Sequence, residues 1–105
     1  LMNIEKQKRS LWSRMQICVD LREFSQNERI DRSLALYYER VSNSQMLAVV
    51  LQLWRNHTID KQFKKYLIEE SYHRGLLPIS GRCFSWKSNI LKIIVNIILY
   101  FKLIK

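Results

Sequence analysis

Residues 44–56, SQMLAVVLQLWRN, constrain the fold of this chain more than any other stretch. Projected as a helix, Met46, Leu47, Val49, Val50, Leu51, Leu53 and Trp54 cover an arc of roughly 200°. Ser44, Gln45, Ala48, Gln52, Arg55 and Asn56 fill the remainder. A surface helix needs an apolar stripe of only about 100°. Other segments must therefore cover this one on two sides, with Trp54 read as a core residue.

The rest of the chain agrees with a helical bundle. Its 105 residues make one domain with a modest core. Two glycines and one proline are too few for the turns of an all-β fold. A hydrophobic content of 48% is too high for a disordered chain. The two cysteines, Cys18 and Cys83, are far apart and read as reduced thiols of an intracellular, cytoplasmic protein. The charged run 2–14 lacks the apolar centre of a signal peptide, and Leu1 ahead of Met2 reads as foreign to the natural start.

Charge divides the sequence unevenly. Of the net +9, residues 1–70 carry 12 Lys/Arg against 9 Asp/Glu. Residues 71–105 carry Arg74, Arg82, Lys87, Lys92, Lys102 and Lys105 with no acid. The excess lies mostly in the tail, which weakens an argument for a basic nucleic-acid-binding face on the body.

In order, residues 3–23 read as a helix with Ile4, Leu11, Met15, Cys18 and Val19 on one side and Trp12 at its margin. The alternation over 15–21 also fits a strand. Ser25 to Glu28 has the form of a capping box and predicts a helix over 26–41, with Ile30, Leu34, Tyr37 and Val41 inward. Ser42, Asn43 and Ser44 then predict a break, with Ser44 capping a helix over 44–56. Thr58 predicts the cap of a helix over 59–74, packing Ile59, Phe63, Tyr66 and Leu67, stopped by Gly75 and Pro78. Glu69 and Glu70 conflict with the negative end of that helix. Residues 76–87 read as an irregular connector, partly buried through Leu76, Leu77 and Phe84.

Residues 88–105, SNILKIIVNIILYFKLIK, form an apolar, basic C-terminal segment with three readings. It fits a helix docked on the core, with Ser88, Lys92 and Asn96 as a narrow polar line. It fits a membrane-associated helix or tail anchor, slightly short of the ~20 residues needed to span a bilayer. It also fits a strand or extension, with Leu91, Ile93, Val95, Ile97, Leu99, Phe101 and Leu103 on one face.

No catalytic constellation emerges. Glu69 and His73 are one helical turn apart, but a zinc site needs three or four ligands. Cys18 sits between Ile17 and Val19 and reads as a buried structural thiol rather than a nucleophile. The two glycines form no phosphate loop. The surface of interest is the outer face of 59–74: Lys61, Lys64, Lys65, Ile68 and Tyr72 fall within about 100° of one another. It suits phosphates, with Tyr72 stacking, or an acidic helix of a protein partner. It also suits a solvated face. Lys6, Lys8, Arg9 and Arg14 form a second basic cluster, read as solvated.

Two family patterns bear on these segments. A strand over 15–21 followed by helices 26–41 and 44–56 resembles the order of ribbon-helix-helix DNA-binding proteins. That resemblance spans residues 14–56 and implies a dimer with Arg14, Gln16, Cys18 and Asp20 facing DNA. The glycine usual between the family's helices is absent. Separately, Met46, Leu47, Leu51 and Trp54 have a spacing similar to the anchors of helices bound by centrin- or calmodulin-like EF-hand proteins.

The expected fold is all-α, a small bundle of three to five helices: a body over 1–75, a connector over 76–87 and the segment 88–105. The expected function is a non-enzymatic regulator or adaptor acting through protein–protein contacts, with no cofactor or metal. The alternative is a DNA-binding transcriptional regulator. Membrane contact through 88–105 and oligomer formation stay open.

Overall fold

The computed structural model describes residues 3–104, with side chains from Asn3 to Lys102. Leu1, Met2, Lys105 and the side chains of Leu103 and Ile104 lie outside the described residues. The fold is an all-α bundle of four helices: α1 (Ile4–Ser25), α2 (Arg32–Arg55), α3 (Lys61–His73) and α4 (Trp86–Ile104). No strand occurs among the described residues.

Helix α1 opens where the Asn3 side chain accepts from the Glu5 amide at 3.0 Å. It buries Leu11, Met15 and Cys18 against α2. Ile4 is exposed, in contrast to the expected stripe. Residues 15–21 lie inside this helix, so the ribbon required by the ribbon-helix-helix pattern does not form. The residues assigned there to DNA have other contacts. Arg14 donates to Gln52, and Gln16 accepts from Arg74 at 2.6 Å.

Around α2 the expected start at 26 and the expected break at 42–44 both fail, and side-chain chemistry explains each. Ser25 does not cap a helix at 26; its hydroxyl donates back to the Arg22 carbonyl at 2.6 Å, at the end of α1. Helix α2 starts instead at Arg32, after Asp31. The break at 42–44 is also absent, and α2 runs through it for 24 residues. Nothing between Arg32 and Arg55 is a Gly or Pro that would force a stop. Ser42 and Asn43 are buried, and a buried polar group needs a partner. Ser42 donates to the Cys18 carbonyl at 2.9 Å, and Asn43 donates to the Arg82 carbonyl at 3.3 Å. Ser44 accepts from the Phe84 amide at 3.3 Å. Three consecutive polar residues thus tie α2 to α1 and to the chain after α3.

The continuous helix changes the inward stripe of its first half. Leu34 and Tyr37 are exposed, while Ala35, Tyr38 and Val41 are partly buried. In the second half Met46, Leu47, Val49, Val50 and Leu53 are all buried, the two-sided core element expected of 44–56. Met46 and Leu47 are interior, and Leu51 and Trp54 pack against the core. The four residues spaced like EF-hand-target anchors are therefore used within the fold.

Helix α3 starts after Asp60 rather than Thr58. The Asp60 carboxylate accepts from the Phe63 amide at 3.0 Å and pairs with Lys8 of α1 at 2.7 Å. Thr58 donates to Asn56 within the preceding turn. Helix α3 buries Leu67 and Ser71, and Tyr66 is exposed, stacked on Trp12 with ring centroids 5.6 Å apart. Ser71 takes the interior position because it is small and satisfied: its hydroxyl donates to the Leu67 carbonyl at 2.7 Å. The late acids are accounted for by Glu70 pairing with Arg74 at 2.9 Å and Glu69 with Lys65 at 3.9 Å. Gly75, at φ +79°, provides the left-handed turn that ends the helix.

Between α3 and α4, Leu76, Leu77, Ile79 and Cys83 are buried. Phe84 is exposed and lies against Tyr37, in contrast to its expected burial. This segment has no helix to satisfy its backbone, and α4 supplies the partners. Asn89 bonds the amide and carbonyl of Cys83, Asn96 those of Ile79, and Lys92 the carbonyl of Gly81. Helix α4 docks through Leu91, Val95 and Leu99; the single-faced strand reading of this segment is not realised.

Candidate functional site

The basic face of α3 forms one wall of a groove. Lys64 and Lys65 lie one helical turn on from Lys61 and share that wall with Ile68. Leu99 and Lys102 of α4 form the opposite wall, and Trp54 near the end of α2 contributes the third side. The groove has a volume of about 500 Å³. Trp54, Ile68 and Leu99 give it an apolar lining, and four lysines stand around it.

Opposing charge in the groove is scarce. Among the described residues Glu69 is its one carboxylate, and its partner is the exposed Lys65 at 3.9 Å. An ion pair this open to water holds little energy. Lys102 lies over the Trp54 ring, with Nζ 4.9 Å from the centroid. The indole face thereby holds a cation in place at the edge of an apolar surface.

Of the five residues expected to bind a macromolecule, the structure brings four to this groove: Lys61, Lys64, Lys65 and Ile68. Tyr72 does not line it. It is partly buried against the core, and burial raises its phenol above the ordinary value. Trp54, Leu99 and Lys102 complete the groove from two other helices. Trp54 read as core from its own helix, and Lys102 as a terminal tail charge; their meeting is a tertiary event.

The other candidates have local explanations. Cys18 is fully buried, and burial pushes its thiol up to about 11, which keeps it protonated at neutral pH. Cys83 is also buried, and both thiols are free. Lys8 of the second basic cluster pairs with Asp60, which raises the lysine and holds the carboxyl below its usual range. No group of three or more His, Cys, Asp or Glu side chains among the described residues is arranged to hold a metal ion. Among the described residues no helix is long and apolar enough to cross a membrane.

In chemical terms, the groove can desolvate an apolar side chain while its rim meets negative charge. Compared with known proteins, the chain matches no family model, no curated protein and no solved structure.

Proposed function

We propose that this protein is a small, non-enzymatic regulator or adaptor that binds an acidic amphipathic helix of a protein partner in the α3–α4 groove. One observation carries the reading: Lys61, Lys64, Lys65 and Lys102 surround an apolar lining of Trp54, Ile68 and Leu99, with Glu69 as the one opposing charge among the described residues. An apolar anchor of the partner fills the groove, and its flanking carboxylates meet the lysines. Charge complementarity supplies encounter rate and orientation, and the buried anchor supplies most of the affinity.

The test is a fluorescence-anisotropy titration with a labelled synthetic helix bearing leucine at i, i+3, i+4 and i+7 and glutamate elsewhere. Saturable binding is expected, weakened at least tenfold in the variant Lys61→Glu/Lys65→Glu. Both lysines are exposed, so the variant keeps its fold, checked by circular dichroism. A peptide that does not saturate removes the proposal. Tighter binding of a random-sequence DNA duplex, with a steep loss as salt rises, would replace it with the nucleic-acid reading.

A further inference from the structure

Helix α4 is turned the opposite way from a solvent-exposed amphipathic helix. Its polar residues Asn89, Lys92 and Asn96 face the protein, bonded to the backbone of Ile79, Gly81 and Cys83. Its outward arc is apolar. Ile90, Ile93, Ile94, Ile97, Tyr100 and Phe101 fall within roughly 120°, each 46% to 62% exposed. Trp86, at the start of the helix, is 69% exposed. A contiguous apolar surface of this kind on a small protein marks an interaction site.

Charge decides between occupants. The charged side chains of α4 are all lysines, and residues 71–105 contain no Asp or Glu. Packing this face on that of a second copy would bring two such segments together with no carboxylate from either to neutralise them. An anionic bilayer surface accepts both properties, taking the isoleucines into the acyl boundary and drawing the exposed Lys87 to its headgroups. The aromatic placement agrees. Trp86, Tyr100 and Phe101 all lie exposed on this face, where in-plane amphipathic helices carry their aromatic residues. With 19 residues the helix extends about 28 Å when laid flat.

We propose that α4 is an in-plane membrane anchor that docks the protein on a bilayer containing anionic phospholipid. Its isoleucine face enters the outer acyl region, and the exposed Lys87, at the margin of that face, sits among the headgroups. The peptide groove does not depend on this face, so the two readings can fail separately.

The experiment is sedimentation of the full chain with phosphatidylcholine vesicles, with and without phosphatidylserine. Binding to the anionic vesicles is expected, at least tenfold tighter than to neutral ones and weakened by salt. Ile94→Glu/Ile97→Glu, at exposed positions, should keep the parent circular dichroism and groove-peptide affinity while losing at least tenfold in vesicle binding. Lys87→Gln should lose about fivefold. No sedimentation with anionic vesicles overturns the anchor. Equal binding to neutral vesicles overturns its anionic character. A dimer in lipid-free buffer that vesicles do not dissociate and the double variant does would assign the face to a second copy.

Discussion

Asn96 of α4 holds Ile79 by both of its backbone groups. The Ile79 amide donates to Asn96 Oδ1 at 2.9 Å, and Asn96 Nδ2 donates to the Ile79 carbonyl at 2.9 Å. This reciprocal pair sets the rotation of α4 on the body and so determines which arc meets solvent. Asn96→Ala removes both bonds and leaves a partly buried amide and carbonyl without their partner. The expected loss is about 2–4 kcal/mol, read by urea denaturation. Asn96→Asp keeps the acceptor and should fall between.

The two glycines differ in what a side chain would meet. Both have positive φ, +79° at Gly75 and +88° at Gly81. A Cβ at Gly75 has open space, whereas one at Gly81 would lie 2.9 Å from Glu39 Oε1 and 3.0 Å from Asn43 Nδ2. Gly75→Ala should cost about 1 kcal/mol from backbone strain alone. Gly81→Ala should cost more, because the Asn43 contact to Arg82 must also shift. Thermal denaturation of the pair tests the difference.

The Cys18 thiol gives stability a defined alkaline dependence. Its pKa is near 9.0 ordinarily and about 11 in the fold, raised by burial. The protonated form is therefore favoured by folding. This contribution is complete below pH 9 and disappears as pH rises through 11, a loss of roughly 2–3 kcal/mol. The urea midpoint should show this component in the parent and lack it in Cys18→Ala. In native buffer the thiol should also react with a thiol reagent far more slowly than after denaturation.

Asp60 contributes at the acidic end. The hydrogen bond from Lys8 and that from the Phe63 amide hold its carboxyl below the ordinary 3.8. Its stabilising effect is present above that value and is lost as pH falls through the lower, folded one. Asp60→Ala should lower the melting temperature by a few degrees at neutral pH and flatten its decline in acid. Lys8→Met, which leaves the Phe63 cap in place, should do less.

Trp54 is partly buried rather than interior, because one of its faces lines the groove beneath Lys102. Trp54→Ala should cost about 2 kcal/mol, short of the 3–5 expected for a fully buried tryptophan. Trp54→Phe should retain most of the stability while loosening Lys102. Calorimetry tests the first expectation, and groove-peptide affinity the second.

Much of the bundle was legible locally. The wide apolar arc of 44–56 marked a two-sided core element, and five of its residues are interior. Gly75 marked the end of α3. Helical spacing alone put Lys61, Lys64, Lys65 and Ile68 on one face. The polar triplet 42–44 was misread because serine and asparagine favour helix ends when their side chains must serve their own backbone. Here those side chains have distant partners, Cys18, Arg82 and Phe84, and the helix continues.

The sequence by itself determined the helical class, the buried apolar set within 46–53 and the one-sided charge of the C-terminal third. Those follow from periodicity and composition, which act within a few turns of chain. Tertiary structure alone decided that Trp54, Leu99 and Lys102 complete the lysine groove and that α4 turns its isoleucines outward. The reason is physical. The irregular segment around Ile79 and Cys83 needs hydrogen-bond partners for its backbone, and Asn89 and Asn96 can supply them only by facing inward. That demand arises between segments distant in sequence and overrides the ordinary preference of an apolar arc for the interior.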